Sequence, residues 1–276
     1  MKRTVFFVSD GTAITAETFG HSLLTQFGDL EFRQIRLPFV DTPSKARDSK
    51  ELINRATETS GERCVVFSTT VDSEITEIIS TSNAHVFNLF EVFIKQLGTA
   101  LGQTPMPSVG QAHGMGDRHV YEDRMEATNY ALTHDDGISQ KMDQADVILV
   151  GVSRSGKTPT CLYMALHYGI KAANYPLTEE DLEQPRLPEF LRQHKKKLFG
   201  LTIDPERLSK IRELRRPGSR YASLKQCRYE VEAAEALLRT EAVPQLSSTG
   251  SSIEELASRI LLSQGLQRED FEGQSA

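Results

Sequence analysis

No apolar run in the 276-residue sequence is long enough to cross a bilayer, and cysteine is scarce, with three residues. The apolar stretch over residues 5–8 is too short for a signal peptide, and Asp10 follows it almost at once. The three cysteines show no metal-ligand spacing and cannot all form pairs, which favours a reducing compartment. These absences predict a cytoplasmic protein that does not associate with a membrane.

Positive charge is also limited. Lysine and arginine total 32 against 38 aspartate and glutamate residues, which gives a formal net charge of -6. This balance argues against nucleic acid as the main partner. Apolar residues make up 38% of the chain and charged residues 25%, the proportions of a folded globular protein.

Short apolar runs alternate with longer amphipathic segments along most of the chain. This alternation is typical of βαβ units and a parallel sheet. In the first half, the predicted strands cover residues 4–8, 32–40, 64–68 and 85–89, and the predicted helices cover 12–26, 44–59 and 73–82. In the second half, the predicted strands cover 145–150, 171–175, 198–203 and 243–247, and the predicted helices cover 121–133, 157–168 and 252–263.

Glycine and proline cluster between residues 98 and 116, which indicates a linker or an exposed loop. We therefore predict an α/β protein of two domains. An N-terminal α/β domain with a parallel sheet covers residues 1–105, and a connecting segment covers 106–144. A C-terminal α/β domain that is similar to P-loop kinases covers 145–276.

One motif carries most of the functional prediction. Residues 151–158, GVSRSGKT, fit the phosphate-loop pattern G-x-x-x-x-G-K-[ST], and a predicted strand enters the motif while a predicted helix leaves it. The glycines let successive N–H groups point at a phosphate, and the helix N-terminus adds its positive dipole end. Lys157 would reach the terminal phosphate and the Thr158 hydroxyl would hold Mg²⁺, whereas the alternative is a chance match. The predicted nucleotide-binding residues are Gly151, Val152, Ser153, Arg154, Ser155, Gly156, Lys157 and Thr158.

Asp204 and Arg220 are further candidates for catalysis. Asp204 directly follows the predicted strand 198–203, so it either organises Mg²⁺ or caps the helix that Pro205 begins. Several arginines follow it, and Arg220 comes directly after a Pro-Gly hinge. They form either a mobile lid that clamps the transferred phosphate or a solvated helix face. These arginines are Arg207, Arg212, Arg215, Arg216, Arg220 and Arg228.

Asp10 begins a small-residue loop between the first predicted strand and helix. Such a loop at the carboxyl end of a parallel strand is a common ligand site, although an ordinary tight turn is the alternative. We assign Asp10 to positioning a target hydroxyl or to proton transfer there. Three histidines in the connecting region, His113, His119 and His134, are either solvated loop residues or candidates for a general base.

Together, these segments resemble the bacterial phosphoenolpyruvate synthase regulatory proteins. The resemblance extends from the first strand to the last helix. It rests on residues 8–17 (VSDGTAITAE), 130–138 (YALTHDDGI), 151–160 (GVSRSGKTPT), 172–176 (AANYP), 199–207 (FGLTIDPER) and 219–223 (SRYAS). A sister group acts on pyruvate, phosphate dikinase and has the second loop glycine replaced, so Gly156 favours the synthase branch.

The resemblance implies two opposed reactions. A threonine of phosphoenolpyruvate synthase is phosphorylated with ADP as donor, and inorganic phosphate removes that group with release of pyrophosphate. ADP and inorganic phosphate are then substrates, Mg²⁺ is the expected cofactor, and the synthase is the protein partner. The alternatives are a P-loop kinase of a small metabolite and a nucleotide sensor without activity. The sequence leaves the oligomeric state open, with a homodimer among the alternatives.

Overall fold

The computed structural model of the protein describes residues 2–28, 30–105, 118–137 and 142–266. The chain folds into two compact units, residues 1–116 and 117–276. Each unit contains a four-stranded sheet in which every neighbouring pair of strands is parallel. The predicted α/β fold class is therefore confirmed.

The first unit is built on a sheet with the strand order β2-β1-β3-β4. The side chains of β1 alternate between two apolar clusters. Phe6 and Val8 pack with α2 and α3, while Val5 and Phe7 pack with α1, so the central strand is buried on both faces. Its elements are β1 (Arg3–Val8), α1 (Ile14–Leu24), β2 (Phe32–Leu37), α2 (Pro43–Ser60), β3 (Cys64–Ser68), α3 (Ser73–Ser80), β4 (Ala84–Asn88) and α4 (Leu89–Leu101).

The second unit repeats this plan with the strand order β6-β5-β7-β8. Ile148 and Val150 of β5 enter one apolar cluster, and Val147 and Leu149 enter another. Its elements are α5 (Arg118–Thr133), β5 (Val147–Gly151), α6 (Lys157–Tyr168), β6 (Ala172–Pro176), α7 (Glu179–Leu182), α8 (Glu189–Arg192), β7 (Leu198–Thr202), α9 (Pro205–Arg215), α10 (Leu224–Thr240), β8 (Gln245–Ser247) and α11 (Ile253–Gln264).

The first unit differs from the sequence prediction around residue 90, where no helix is predicted. Asn88 begins α4 there, because its side chain accepts the N–H groups of Phe90 and Glu91. The helix continues to Leu101, inside the stretch predicted as a linker. The domain limits 1–105, 106–144 and 145–276 stay predictions, and α5, from the predicted connecting segment, packs on α6.

Across the four described ranges, no helix combines the length and the apolar content needed to cross a membrane.

Candidate nucleotide site

The loop over residues 151–158 turns from the buried strand β5 into α6, at the carboxyl end of the sheet. A Cβ atom on Gly151 would lie 2.1 Å from the carbonyl oxygen of Leu201 on β7, so only glycine fits there. Gly156 has a φ of 92° and Arg154 a φ of 74°, both in the left-handed region. The backbone therefore coils tightly before α6, and the free N–H groups of a helix N-terminus favour anions.

Lys157 is the first residue of α6 and is only 4% exposed. Its Nζ donates to the carbonyl oxygen of Val152 at 2.9 Å, so the ammonium group lies within the curve of the loop. Burial lowers the pKa of Lys157 to about 8, against the opposing effect of nearby negative charge on Asp136 and Asp135. The site thus contains a buried cation whose proton is held less tightly than that of a solvated lysine.

Asp135 lies against the other end of the loop. Its Oδ1 accepts a hydrogen bond from the Thr158 hydroxyl at 2.7 Å and another from Asn174 Nδ2 at 2.5 Å. Asn174, on β6, is 1% exposed and its own Oδ1 accepts the N–H of Asp136 at 3.2 Å. The buried amide therefore fixes the turn after α5 next to Thr158, a contact that the sequence analysis missed.

Arg212 is buried beneath the loop and is not part of an exposed lid. Its Nη2 donates to the carbonyl oxygen of Ser153 at 3.1 Å and to Glu230 Oε2 at 2.7 Å. Its guanidinium group lies 4.0 Å from the ring centroid of Tyr221, whose hydroxyl donates to Ser153 Oγ at 3.1 Å. Arg212 and Tyr221 therefore connect the 151–158 loop to α9 and to residues 219–223.

Arg220 has the opposite character, since its side chain is 78% exposed and lies 3.7 Å from the carboxylate of Glu179. The remaining arginines proposed for a lid are all exposed, namely Arg207, Arg215, Arg216 and Arg228. The next residue after Arg220 is Tyr221, which contacts the 151–158 loop through Ser153. The catalytic role of Arg220 stays a prediction.

Asp204 serves as the N-cap of α9, one of the two roles that the sequence allows. Its Oδ1 accepts the N–H of Arg207 at 2.8 Å, and its own N–H donates to Thr249 Oγ1 at 2.7 Å. Among the described residues, Asp204 and Thr158 form no hydrogen bond with each other. Its predicted role in organising Mg²⁺ is not tested by these contacts.

Asp10 lies in the first unit, at the carboxyl end of β1. Its Oδ2 accepts the N–H of Val71 at 2.9 Å and so joins the loops that follow β1 and β3. In a sheet of order β2-β1-β3-β4, the chain adds β2 on one side of β1 and β3 on the other side. The loops that follow β1 and β3 therefore flank the topological switch point, where ligands usually bind in such sheets. The contact gives Asp10 a structural role, and the assignment to a target hydroxyl stays a prediction.

Of the three candidate histidines, His134 is described in full and is 9% exposed. Its ring stacks on Tyr130 at 3.9 Å, and Nδ1 lies 2.9 Å from the carbonyl oxygen of Tyr130. His134 is therefore not a solvated loop residue, which is one of the two alternatives from the sequence. His113 lies outside the described residues, and of His119 only the backbone is described, in α5.

Mg²⁺ can be accommodated at Thr158 on chemical grounds. Within the described ranges, no three His, Cys, Asp or Glu side chains gather into a metal cluster. The oxygen atoms of Thr158 and Asp135 are nevertheless of the hard type that Mg²⁺ selects, and this ion normally keeps waters and takes further ligands from a substrate phosphate. The donor set therefore fits a metal that arrives with a nucleotide.

The two parallel sheets and the loop between β5 and α6 define a two-unit α/β protein with a Gly-Lys-Thr turn at a helix N-terminus. The family model described as kinase/pyrophosphorylase matches residues 5–261, and the chain belongs to that family. Membership makes it a phosphotransfer enzyme.

The chain is similar over nearly its whole length to proteins provisionally named phosphoenolpyruvate synthase regulatory proteins. The relative from Stenotrophomonas maltophilia (strain K279a) is 55% identical over 267 residues, which cover 97% of this chain and 98% of the relative. The relative from Marinobacter nauticus is 51% identical, with coverage of 97% and 99%. The relative from Xanthomonas campestris pv. campestris (strain B100) is 54% identical, with coverage of 98% for both chains. The family resemblance seen in the sequence motifs is confirmed.

Proposed function

We propose that the protein regulates phosphoenolpyruvate synthase by two opposed phosphoryl transfers at one site. It phosphorylates a threonine of the synthase with ADP, and it removes that phosphate with inorganic phosphate. The observation that carries the proposal is the 151–158 loop, which places Lys157 at the N-terminus of α6 in a chain of the kinase/pyrophosphorylase family. The names of the relatives support the synthase as the target.

In the forward reaction, the threonine oxygen attacks the β-phosphorus of ADP. The bond between that phosphorus and the oxygen bridging to the α-phosphorus breaks, AMP leaves, and the threonine proton passes to a base or to water. In the reverse reaction, an oxygen of inorganic phosphate attacks the phosphothreonine. The bond to the threonine oxygen breaks, that oxygen takes up a proton, and pyrophosphate leaves.

Both reactions move a phosphoryl group between a threonine oxygen and a phosphate oxygen. In both transition states, negative charge is spread over the oxygens of the transferred phosphoryl group. The same cations can therefore stabilise both transition states. The N–H groups of the 151–158 loop and the Lys157 ammonium would hold the β-phosphate of ADP or the attacking phosphate. Arg220, exposed beside the loop network, would cover the transferred group. A Mg²⁺ ion at Thr158 would neutralise charge on the nucleotide phosphates.

The test uses purified phosphoenolpyruvate synthase and ADP labelled in its β-phosphate. The wild-type protein should place the label on a synthase threonine, and phosphate should then release it as pyrophosphate. Lys157→Ala should lower both rates by roughly a hundredfold or more, because it removes a charge that both transition states need. Lys210→Ala is the matched control, since Lys210 is an exposed lysine of α9.

Three results would contradict the proposal. Label that enters a small molecule instead of the synthase would indicate a metabolite kinase. ADP binding without any transfer would indicate a nucleotide sensor. An intact reverse reaction in Lys157→Ala would show that the opposed reactions use different phosphate sites.

A further inference from the structure

The turn after α5 brings a carboxylate to the hydroxyl that should meet the metal. In phosphate-loop proteins the loop Ser or Thr binds Mg²⁺ together with a second, acidic residue. In this chain the acidic residue next to Thr158 is Asp135, whose Oδ1 lies 2.7 Å from the Thr158 hydroxyl oxygen. It comes from the segment between α5 and β5, and not from the end of β7.

The direction of this hydrogen bond suits a cation at Thr158. A hydroxyl group has one proton and two lone pairs, and an ionised carboxylate can only accept. The Thr158 proton is therefore directed at Asp135, which leaves the lone pairs of the Thr158 oxygen free for a metal. Both hydrogen bonds of Asp135 go to Oδ1, so Oδ2 has no hydrogen-bond partner among the residues that the structure describes.

The position of Asp135 is fixed before any ligand binds. Asn174 is almost fully buried on β6, donates to Asp135 Oδ1 and accepts the N–H of Asp136. The N–H of Asn174 donates to the carbonyl oxygen of His134 at 3.2 Å, so the strand itself holds the turn. A carboxylate held in this way would lose little conformational freedom when it binds a metal or a metal-bound water.

We propose that Asp135 is the acidic residue that positions the divalent cation of the bound nucleotide, acting with Thr158 at the end of the loop. This inference rests on the proposed function, because the cation arrives with ADP. Asp204, the sequence-based candidate for this role, caps α9 through its Oδ1, and among the described residues it makes no hydrogen bond to Thr158. Asp135 is a positioning residue whose effect should appear in metal-dependent binding and not in the fold.

Asp135→Asn is a clean test, because an amide oxygen at the Oδ1 position can keep both hydrogen bonds while the charge at Oδ2 is lost. ADP affinity is measured by calorimetry with Mg²⁺ and with EDTA, and Mn²⁺ binding to the ADP complex is measured by electron paramagnetic resonance. We expect unchanged ADP affinity in EDTA and a loss of Mn²⁺ affinity of about 10- to 100-fold. The unfolding temperature without ligand should stay unchanged. A purely structural role predicts the opposite pattern, with a lower unfolding temperature and no specific loss of Mn²⁺ affinity.

Asp136→Asn and Asp204→Asn are the matched controls. The first removes the same charge from the neighbouring residue, which also lies close enough to affect Lys157. Both controls should keep the metal-dependent gain in ADP affinity. Full metal dependence in Asp135→Asn, its loss in Asp204→Asn, or wild-type ADP binding that metal does not strengthen would each overturn the inference alone. Failure of the wild-type protein to bind ADP would overturn the proposed function, and the inference with it.

Discussion

Replacing Arg212 with methionine removes a cation from beneath the 151–158 loop while keeping much of the side-chain volume. Arg212 has no exposed side-chain surface, and the side chain of its partner Glu230 is 8% exposed. Among the described residues, the single change leaves the buried Glu230 carboxylate with one side-chain hydrogen-bond donor, Gln226. Breaking such a buried pair costs about 3–5 kcal/mol, because the remaining charge has lost both water and its partner.

This free energy can be converted into a measurable temperature. In a domain of about 150–250 residues, 1 kcal/mol shifts the unfolding midpoint by roughly 2–4 °C, so Arg212→Met should lower it by about 6–20 °C. Scanning calorimetry measures the shift, and ADP is expected to raise the transition of the second unit because the proposed nucleotide site lies there. Arg215→Met is the control, since Arg215 lies on the same helix and is exposed.

The double variant Arg212→Met with Glu230→Met separates stability from loop geometry. It removes both charges, so it should be much more stable than the sum of the two single changes predicts. The carbonyl oxygen of Ser153 still lacks the hydrogen bond from Arg212 in the double variant. ADP affinity should therefore stay about tenfold below that of the wild-type protein, the effect expected for one charged hydrogen bond. A shift below about 2 °C in Arg212→Met, or full ADP affinity in the double variant, would refute the reasoning.

Two further predictions concern one charged residue in each unit, Lys157 in the second and Asp10 in the first. Because burial places the pKa of Lys157 at about 8 and phosphate requires the charged ammonium, ADP affinity should fall roughly tenfold per pH unit above pH 8. Lys157→Arg stays charged and should remove this dependence, and calorimetry between pH 7 and pH 10 that shows constant wild-type affinity would contradict the prediction. Asp10→Asn should keep ADP affinity and sharply lower transfer to the synthase, because Asp10 lies in the crevice of the first sheet. Lost ADP binding in a folded variant would place this loop in the nucleotide site, and unchanged transfer would make it a structural turn.

The sheets and the loop could be predicted because their signals are local in the sequence. Each central strand is a short apolar run, since both of its faces are buried, and the 151–158 loop is a contiguous motif. The sequence does not predict the helix α4, because the signal that begins it is a single side chain. Its first residues continue the apolar run of β4, and only the side chain of Asn88 separates strand from helix.

The role of Arg212 could not be inferred from the arginine-rich composition of its segment. Six arginines between residues 207 and 228 look alike in sequence, yet one of them is fully buried. A weak signal does exist, since Arg212 lies four residues after the buried Leu208 and so falls on the inward face of α9. Spacing of this kind predicts that a side chain points inward, but it does not reveal which buried carboxylate and which carbonyl group receive it.

The choice between Asp204 and Asp135 as the proposed partner of a metal shows where sequence reasoning ends. Asp204 follows β7, whereas Asp135 lies in the turn after α5. The sequence motif favours the residue that follows the strand. The structure uses the Asp204 carboxylate to begin α9, and it places Asp135 beside Thr158 through a buried amide on a third element, β6. The contact joins residues 23 positions apart in the chain and depends on Asn174, a further 16 positions along. Which of the two carboxylates lies beside the Thr158 hydroxyl follows from the N–H and O–H groups that the fold brings to each of them.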